Sequence, residues 1–180
     1  MQTFPTLSTK RLVLSQPTVA DAEDVILQMN STSEISENTL TLPFPYKKEN
    51  ADFWFQMAEF SFQKNEAFIF GIREKENLKL IGAVGLHIDN SNNKAEVGYW
   101  LGKPFWNKGY VSEALQKVLK FGFEELNLNK IYASHFLHNP ASGKVLEKCG
   151  FVFEAVLQQE ILKNGKFYDL FRYCILKSNY

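Results

Sequence analysis

Two segments in the second half of the chain contain the residue types best suited to chemistry. Residues 105–115 form a polar turn around Gly109 that runs into an amphipathic helix. The start of a helix has unpaired backbone N–H groups and a partial positive charge, so this turn suits an anion such as a pyrophosphate. In residues 139–151, Asn139 and Ser142 open a short helix that a glycine ends before a strand. Together the two segments predict a site for a phosphate-containing ligand.

The composition of the 180 residues indicates one globular domain, residues 1–180. Hydrophobic residues make up 45% of the chain, and a domain of this size buries roughly 70% of the surface of its unfolded chain. Lysine plus arginine and aspartate plus glutamate number 20 each, so the net charge is zero. Without a net positive field, neither nucleic acid nor an anionic membrane is an expected partner.

The N-terminal sequence and the two cysteines indicate a cytoplasmic protein. Residues 1–5 lack the charged segment and apolar run of an export signal. No stretch approaches the ~18 apolar residues that a membrane-spanning helix needs. Cys149 and Cys174 lie in apolar stretches and are expected to be reduced thiols.

Two further patterns do not predict a site. His135 and His138 stand three positions apart, but no nearby cysteine or carboxylate completes a metal-ligand set, so we expect no bound metal. Residues 142–144 read Ser-Gly-Lys, but the upstream glycine and the following hydroxyl residue of a nucleotide-binding loop are missing. A nucleoside triphosphatase is therefore excluded.

Hydrophobic periodicity and turn residues predict the elements that position the two segments. Strands are expected at 11–15, 67–73, 79–87, 95–101, 130–136, 151–161 and 167–176, and helices at 21–29, 48–64, 111–126 and 141–148. Residues 30–46 contain two prolines and predict an irregular loop. The strand–helix–strand order in the middle requires a parallel pair, whereas the hairpins on either side require antiparallel pairs. The expected fold class is α/β (α+β), with a mixed, mostly antiparallel seven-stranded sheet and helices on both faces.

This element order resembles the fold of the GNAT N-acetyltransferases, and the resemblance covers nearly the whole chain. Four stretches are similar to the branch of ribosomal-protein N-acetyltransferases of the RimJ/RimL type. They are Thr-Lys-Arg-Leu-Val-Leu at 9–14, Ala-Glu-Val-Gly-Tyr-Trp-Leu at 95–101 leading into Trp-x-x-Gly-Tyr, Asn-x-x-Ser-x-x-Val-Leu-Glu-Lys-x-Gly-Phe at 139–151, and Glu-Ile-Leu-Lys-Asn-Gly at 160–165 with Asp169. The resemblance implies an enzyme that transfers acetyl from acetyl-CoA directly to a primary amine.

Three positions depart from the wider superfamily. Its pyrophosphate turn reads Arg/Gln-x-x-Gly-x-Gly/Ala, whereas Trp106 and Val111 occupy the outer positions here. Because backbone N–H groups hold the phosphates, we expect these side chains to weaken binding rather than abolish it. The superfamily often has a tyrosine seven residues after the asparagine as the acid for the leaving thiolate, but Leu146 stands there. Another group must serve the sulfur.

The resemblance implies an acetyl-CoA site built from three segments. The turn at 107–112 would hold the pyrophosphate through Asn107, Lys108, Gly109, Tyr110, Val111 and Ser112, with added charge from Lys108. Trp100 and Leu101 would offer backbone groups to the cofactor arm, as an added strand would. Asn139 would bind the pantetheine amides, and it is also suited to capping the helix that follows.

Acetyl transfer requires a base, because an ammonium group has no lone pair with which to attack the thioester. The resemblance gives Glu160 this role, although a glutamate before a hairpin is often only a solvated strand residue. Glu96, on the strand that enters the turn, is the competing base, acting directly or through a water. Ser142 would donate a proton to the leaving thiolate, although a serine there also suits a helix cap.

The acceptor amine is left open by the sequence. An α-amine, with a pKa of about 7.7–8.0, needs less help from a base than a side-chain amine at about 10.4. A protein N-terminus is the best-known acceptor of the branch; a small amine such as an antibiotic or polyamine, and a non-catalytic acyl-CoA sensor, are the alternatives. His87 and four aromatic residues are candidates for the acceptor pocket: Phe44, Tyr46, Phe53 and Trp54. Dimers are common in the family, so a homodimer is compatible with the resemblance.

Overall fold

The computed structural model describes residues 3–180, which form eight strands and five α-helices. The strands are β1 (Leu7–Ser8), β2 (Leu12–Ser15), β3 (Ala67–Glu74), β4 (Leu80–Asp89), β5 (Lys94–Leu101), β6 (Lys130–Phe136), β7 (Val152–Lys163) and β8 (Lys166–Leu176). The helices are α1 (Ala22–Met29), α2 (Glu34–Glu37), α3 (Lys48–Gln63), α4 (Tyr110–Lys120) and α5 (Pro140–Lys148). A π-helical turn at Phe121–Glu125 continues α4.

All eight strands belong to one sheet, in the order β1-β2-β3-β4-β5-β6-β8-β7. Neighbouring strands run antiparallel except β5 and β6, which are parallel. These two strands pair only from Lys94–Lys130 to Glu96–Tyr132. Beyond that point, Val97–Leu101 of β5 and Ala133–Phe136 of β6 do not pair with each other, and we call the space between them the β5–β6 gap. The gap leaves one side of the β5 backbone without a strand partner.

Helices cover both faces of the sheet. Ala114, Leu115, Val118 and Leu119 of α4 are fully buried against one face, and burial of each leucine stabilises the fold by about 1.5–3 kcal/mol. On the other face, α1 and α3 pack over a second cluster that includes Leu80 and Trp100. Because side chains alternate along β5, Val97 and Leu101 join the α4 cluster while Trp100 joins the α1/α3 cluster. Glu96 and Gly98 therefore face the α1/α3 side.

The predicted fold class is confirmed, and the differences are local. The sheet has eight strands rather than seven, because β1 is a two-residue strand that pairs with β2 and is too short to show alternation. Within the predicted loop 30–46, α2 forms a single turn ahead of the two prolines. The long helix expected at 111–126 ends its α-helical hydrogen bonding at Lys120 and continues as the π-helical turn, a change that leaves the apolar face intact. None of the helices within residues 3–180 combines the length and apolar character required to cross a membrane.

Candidate active site

The turn that precedes α4, residues 107–112, has the conformation expected of an anion site, and we call it the phosphate turn. Gly109 is the N-cap residue of α4 and has a left-handed φ of 75°, a conformation that favours glycine. Asn107 is also left-handed, with a φ of 61°. Within the described residues 3–180, no side chain caps the helix, so its first backbone N–H groups are left for a ligand. Ser112 is buried inside this first turn, whereas Lys108 is exposed.

Arg11, in the turn between β1 and β2, supports the phosphate turn. The Arg11 Nη1 group donates to the Lys108 carbonyl at 2.9 Å, and the guanidinium lies 4.3 Å from the centre of the Tyr110 ring. Glu113 of α4 accepts from Arg11 Nε at 2.7 Å, from the Arg11 backbone N–H at 2.8 Å and from Thr9 Oγ1 at 2.5 Å. Burial alone would raise the pKa of Glu113, but these hydrogen bonds outweigh it and lower the pKa. The carboxylate therefore stays charged and holds Arg11 against the turn.

The β5–β6 gap begins beside the phosphate turn. The predicted cofactor residues Trp100 and Leu101 lie on β5 along this gap. The Leu101 carbonyl already accepts a hydrogen bond from Trp106 Nε1 at 2.7 Å, so one of its two acceptor positions is occupied. Buried Trp100 Nε1 has no hydrogen-bond partner among residues 3–180. A side chain added at Gly98 would meet no atom within 4 Å, so open space lies in front of β5 between Glu96 and Trp100.

On the α4/α5 side, a tyrosine meets the predicted sulfur-binding serine across the gap. Ser142 Oγ lies 2.7 Å from Tyr99 Oη of β5, and Tyr99 also donates to the Ser142 carbonyl at 3.2 Å. Burial raises the pKa of the Tyr99 phenol, which stays protonated and can donate. Asn139 caps α5, since its Oδ1 accepts from the Ser142 N–H at 3.3 Å. Leu146 is fully buried and has no hydroxyl group. The hydroxyl group next to Ser142 is therefore that of Tyr99.

The two candidate bases occupy one cluster at the closed end of the gap. Glu160 Oε1 lies 3.8 Å from Arg172 Nη2, and the Arg172 guanidinium stacks 5.0 Å from the centre of the Tyr132 ring. Tyr132 pairs with Glu96 in the β5–β6 register. We call Glu96, Glu160, Arg172 and Tyr132 the carboxylate cluster. Burial raises the pKa of Glu96, the Arg172 charge opposes this, and the Glu160 charge adds to it.

The predicted acceptor residues separate into two groups. His87 pairs with Glu96 in the β4–β5 register and so lies next to the carboxylate cluster. One edge of His87 is exposed, yet the surrounding protein desolvates the ring and lowers its pKa. The Trp54 ring lies 6.2 Å from the ring of Trp100. Phe44 and Phe53 are exposed, and Tyr46 is a core residue whose hydroxyl donates to the Asn50 carbonyl.

The histidines and cysteines have structural surroundings. His135 is buried, with Nδ1 2.8 Å from the Phe136 carbonyl, and the His138 ring stacks on Phe136. Between residues 3 and 180, no three histidine, cysteine or acidic side chains are grouped so as to hold a metal ion. Burial raises the pKa of the Cys149 thiol to about 11, and its Sγ lies 3.6 Å from the Ser112 carbonyl. A thiol in this state is a poor nucleophile.

Comparison with known protein families agrees with this geometry. A family model described as "Acetyltransferase (GNAT) domain" matches residues 11–152. The chain belongs to the GNAT family of acetyltransferases. It is 35% identical to an uncharacterized N-acetyltransferase, p20, of Bacillus licheniformis, over 97% of this chain and 98% of that protein. The resemblance drawn from the sequence motifs is thereby confirmed.

Proteins with more specific names are also similar to this chain, two of them over little more than half of it. The putative ribosomal N-acetyltransferase YdaF of Bacillus subtilis is 38% identical over 54% of each chain. The spermidine N(1)-acetyltransferase of Vibrio cholerae is 34% identical over 59% of this chain and 62% of that protein. The solved structure of the microcin C7 self-immunity acetyltransferase MccE, in complex with acetyl-CoA and AMP, is 27% identical with a TM-score of 0.83 and covers 93% of each chain. This GNAT protein is an N-acetyltransferase with acetyl-CoA as its acetyl donor.

Proposed function

We propose that this N-acetyltransferase acetylates the α-amine at the N-terminus of a protein or peptide by direct transfer from acetyl-CoA. The observation that carries the proposal is that two carboxylates, Glu96 and Glu160, share one arginine at the closed end of the β5–β6 gap. An acidic site attracts an ammonium group, and a carboxylate at hydrogen-bond distance can remove its proton. Glu160 is exposed, so a chain end can reach it from solvent.

The phosphate turn and the gap hold acetyl-CoA in this proposal. The uncapped start of α4 and left-handed Gly109 fit a pyrophosphate, because the turn directs backbone N–H groups at an anion. The unpaired side of β5 fits an extended amide-containing chain, which can hydrogen-bond as an added strand does. In the β4–β5 register the backbone groups of Trp100 face Ala83, so Leu101 and Tyr99 present their backbone groups to the gap. Asn139 holds the start of α5, and through it Ser142, beside the gap. This set of groups fits the donor without a metal ion as a ligand.

In this proposal Ser142 and Tyr99 stabilise the leaving thiolate sulfur by hydrogen bonding. Ser142 donates its hydroxyl proton toward the thiolate as the thioester bond breaks, and Tyr99 donates in turn to Ser142 Oγ. Either hydroxyl can donate across their 2.7 Å contact, and the phenol has one proton, so in this step Tyr99 donates to Ser142 Oγ instead of to the Ser142 carbonyl. A thiol with a pKa of about 8.5 leaves fairly well at neutral pH, so hydrogen-bond donation is sufficient.

Glu160 is the proposed base, and Glu96 is the alternative. Arg172 Nη2 lies 3.8 Å from Glu160 Oε1, an ion-pair contact that orients the Glu160 carboxylate beside the gap. Glu96 is half-buried, and its raised pKa makes it the alternative base, acting directly or through a water. An α-amine is partly unprotonated at neutral pH, so either carboxylate has to remove a proton from only part of the substrate.

A polyamine is the second candidate acceptor, favoured by the spermidine acetyltransferase among the relatives. A thiol-release assay separates the candidates with three acceptors: a peptide with a free N-terminus, the same peptide with a blocked N-terminus and a free lysine, and spermidine. We expect release with the free peptide and acetyl at its α-amine by mass spectrometry. Release with spermidine alone would favour the polyamine. Binding of acetyl-CoA without release to any acceptor would favour a sensor.

A further inference from the structure

Strand β7 contains a bulge that ends at the proposed base, Glu160. Leu157 pairs with Leu170 and Ile161 pairs with Tyr168, so β7 has more residues than β8 over the same length of ladder. Residues 158–160 lie opposite the single residue Asp169 of β8, so β7 has two extra residues there; we call residues 158–160 the Glu160 bulge. A bulge bends its strand and changes the direction of a side chain. The direction of Glu160 therefore depends on the conformation of this bulge.

A single carboxylate from the opposite strand holds the bulge. Gln159 has a left-handed φ of 50°, an uncommon conformation for a residue other than glycine. Its backbone N–H donates to Asp169 Oδ1 of β8 at 2.7 Å. This hydrogen bond fixes the peptide between residues 158 and 159, one residue before Glu160, and so holds the backbone that leads into Glu160.

The tip of the β7–β8 hairpin has an anchor of its own beyond the bulge. Lys163 donates from Nζ to the carbonyls of Thr39 at 2.6 Å and Glu37 at 3.2 Å, at the end of α2. Within the bulge, the Glu160 side chain reaches Arg172, whose Nε lies 3.4 Å from Ser134 Oγ. Among residues 3–180, Asp169 is the side chain that hydrogen-bonds to the backbone of the bulge.

We propose that Asp169 is a positioning residue for catalysis, which accepts the Gln159 N–H and thereby directs Glu160 toward the acceptor amine. The inference rests on the proposed role of Glu160 as the base. In this role Asp169 acts through the Gln159 N–H and not on a substrate. Its side chain is on the α5 side of β8, because residues alternate along the strand and Arg172 faces the carboxylate cluster.

Two substitutions at position 169 separate positioning from charge: the isosteric asparagine and the smaller alanine. Asp169→Asn keeps a carbonyl oxygen that can accept the Gln159 N–H, whereas Asp169→Ala removes the acceptor. We expect Asp169→Ala to lower kcat by about 100-fold, the effect of a misplaced catalytic group, and to leave the Kd for acetyl-CoA unchanged. We expect Asp169→Asn to retain kcat within about threefold of the wild type. Asp89→Ala, which removes a carboxylate acceptor from the β4–β5 turn, is the matched control and should keep kcat.

A double variant tests whether the effect passes through Glu160. If Asp169 acts by directing Glu160, Asp169→Ala should cause no further loss of kcat in the Glu160→Gln background. Wild-type kcat in Asp169→Ala with an impaired Glu160→Gln would overturn the inference and leave the proposed base in place. Wild-type kcat in Glu160→Gln would overturn both. Equal losses in Asp169→Asn and Asp169→Ala would show that the charge of Asp169 acts directly.

A second variant approaches the same hydrogen bond from the donor side. Gln159→Pro removes the N–H and cannot adopt a positive φ, so it should lower kcat as Asp169→Ala does. Circular dichroism confirms folding of each variant before kinetics. Should Asp169→Ala fail to fold, a wild-type kcat in folded Gln159→Pro protein would still overturn the inference, and a 100-fold loss would support it.

Discussion

Tyr99 Oη and Ser142 Oγ lie 2.7 Å apart across the β5–β6 gap, and they join two elements that are otherwise separated there. Tyr99 also donates to the Ser142 carbonyl at 3.2 Å. The phenol thus holds both the side chain and the backbone of Ser142 at the first turn of α5. The same contact links the stability of the gap with the proposed donation to the thiolate.

Tyr99→Phe should lower both activity and stability. Loss of a buried hydrogen bond reduces the free energy of unfolding by about 1 kcal/mol, measured by urea denaturation. We expect kcat to fall by about tenfold, because a thiolate with a pKa near 8.5 needs only partial protonation to leave. Ser142→Ala should cause a similar loss, and the double variant should be no slower than the slower single variant. Additive losses would show that the two hydroxyl groups act separately.

Glu160→Gln should slow turnover without weakening the binding of acetyl-CoA. General base catalysis contributes about 10²–10⁴ in rate, so we expect kcat for a peptide acceptor to fall by at least about 100-fold. The Kd for acetyl-CoA, measured by calorimetry, should stay the same. Glu124→Gln, at an exposed i,i+4 ion pair with Lys120, is the matched control. A larger loss of kcat in Glu96→Gln than in Glu160→Gln would move the base to Glu96.

Glu96 should make stability depend on pH. Burial raises its pKa above the ordinary value, so the folded protein disfavours the ionised form. The stabilisation from the protonated form is fully present below the ordinary pKa and is lost as the pH rises through the raised pKa. We therefore expect Glu96→Gln to gain stability relative to the wild type between pH 4 and pH 7.

Urea denaturation of both proteins at pH 4 and pH 7 measures this difference. Arg172, Glu160, Tyr132 and His87 surround Glu96 in both proteins, so the comparison at each pH reports the change at position 96. A difference that decreases toward pH 7 would show that the attraction of Arg172 exceeds the cost of burial.

The sequence was sufficient to predict what depends on local pattern. The apolar face of α4 and the turn around Gly109 follow from residues within a few positions of one another, so periodicity and one glycine identify them. The positions of the strands follow in the same way. The two-residue β1 and the single-turn α2 are too short for any period to appear.

The parts that could not be predicted depend on residues far apart in the chain. Tyr99 reads as an ordinary strand residue until α5 brings Ser142 to it, 43 positions later. Arg11 and Glu113 meet across 102 positions. The Glu160 bulge has no local signal either, because a glutamine carries the left-handed φ where glycine or asparagine would have marked it.

Gly109→Ala should weaken acetyl-CoA binding. At a φ of 75°, an alanine costs roughly 1–2 kcal/mol, which reshapes the turn or destabilises the protein. In the wild type, acetyl-CoA at 100 times its Kd should stabilise the fold by about 2.7 kcal/mol. The variant should show a smaller thermal shift at the same ligand concentration. An equal shift would show that the phosphates bind elsewhere.

Arg11→Gln should weaken the binding of acetyl donors that carry a diphosphate and leave other donors unaffected. Arg11 braces the Lys108 carbonyl and is held by Glu113, so its loss should loosen the phosphate turn and raise the Kd for acetyl-CoA by about tenfold, or about 1.4 kcal/mol. S-acetylpantetheine lacks the diphosphate, so its kcat/KM should be the same for the variant and the wild type. Lys48→Gln removes an exposed cation on α3 that pairs with Asp52 and should change neither value. Equal losses with both donors would mean that Arg11 supports the fold of the gap rather than the turn that meets the phosphates.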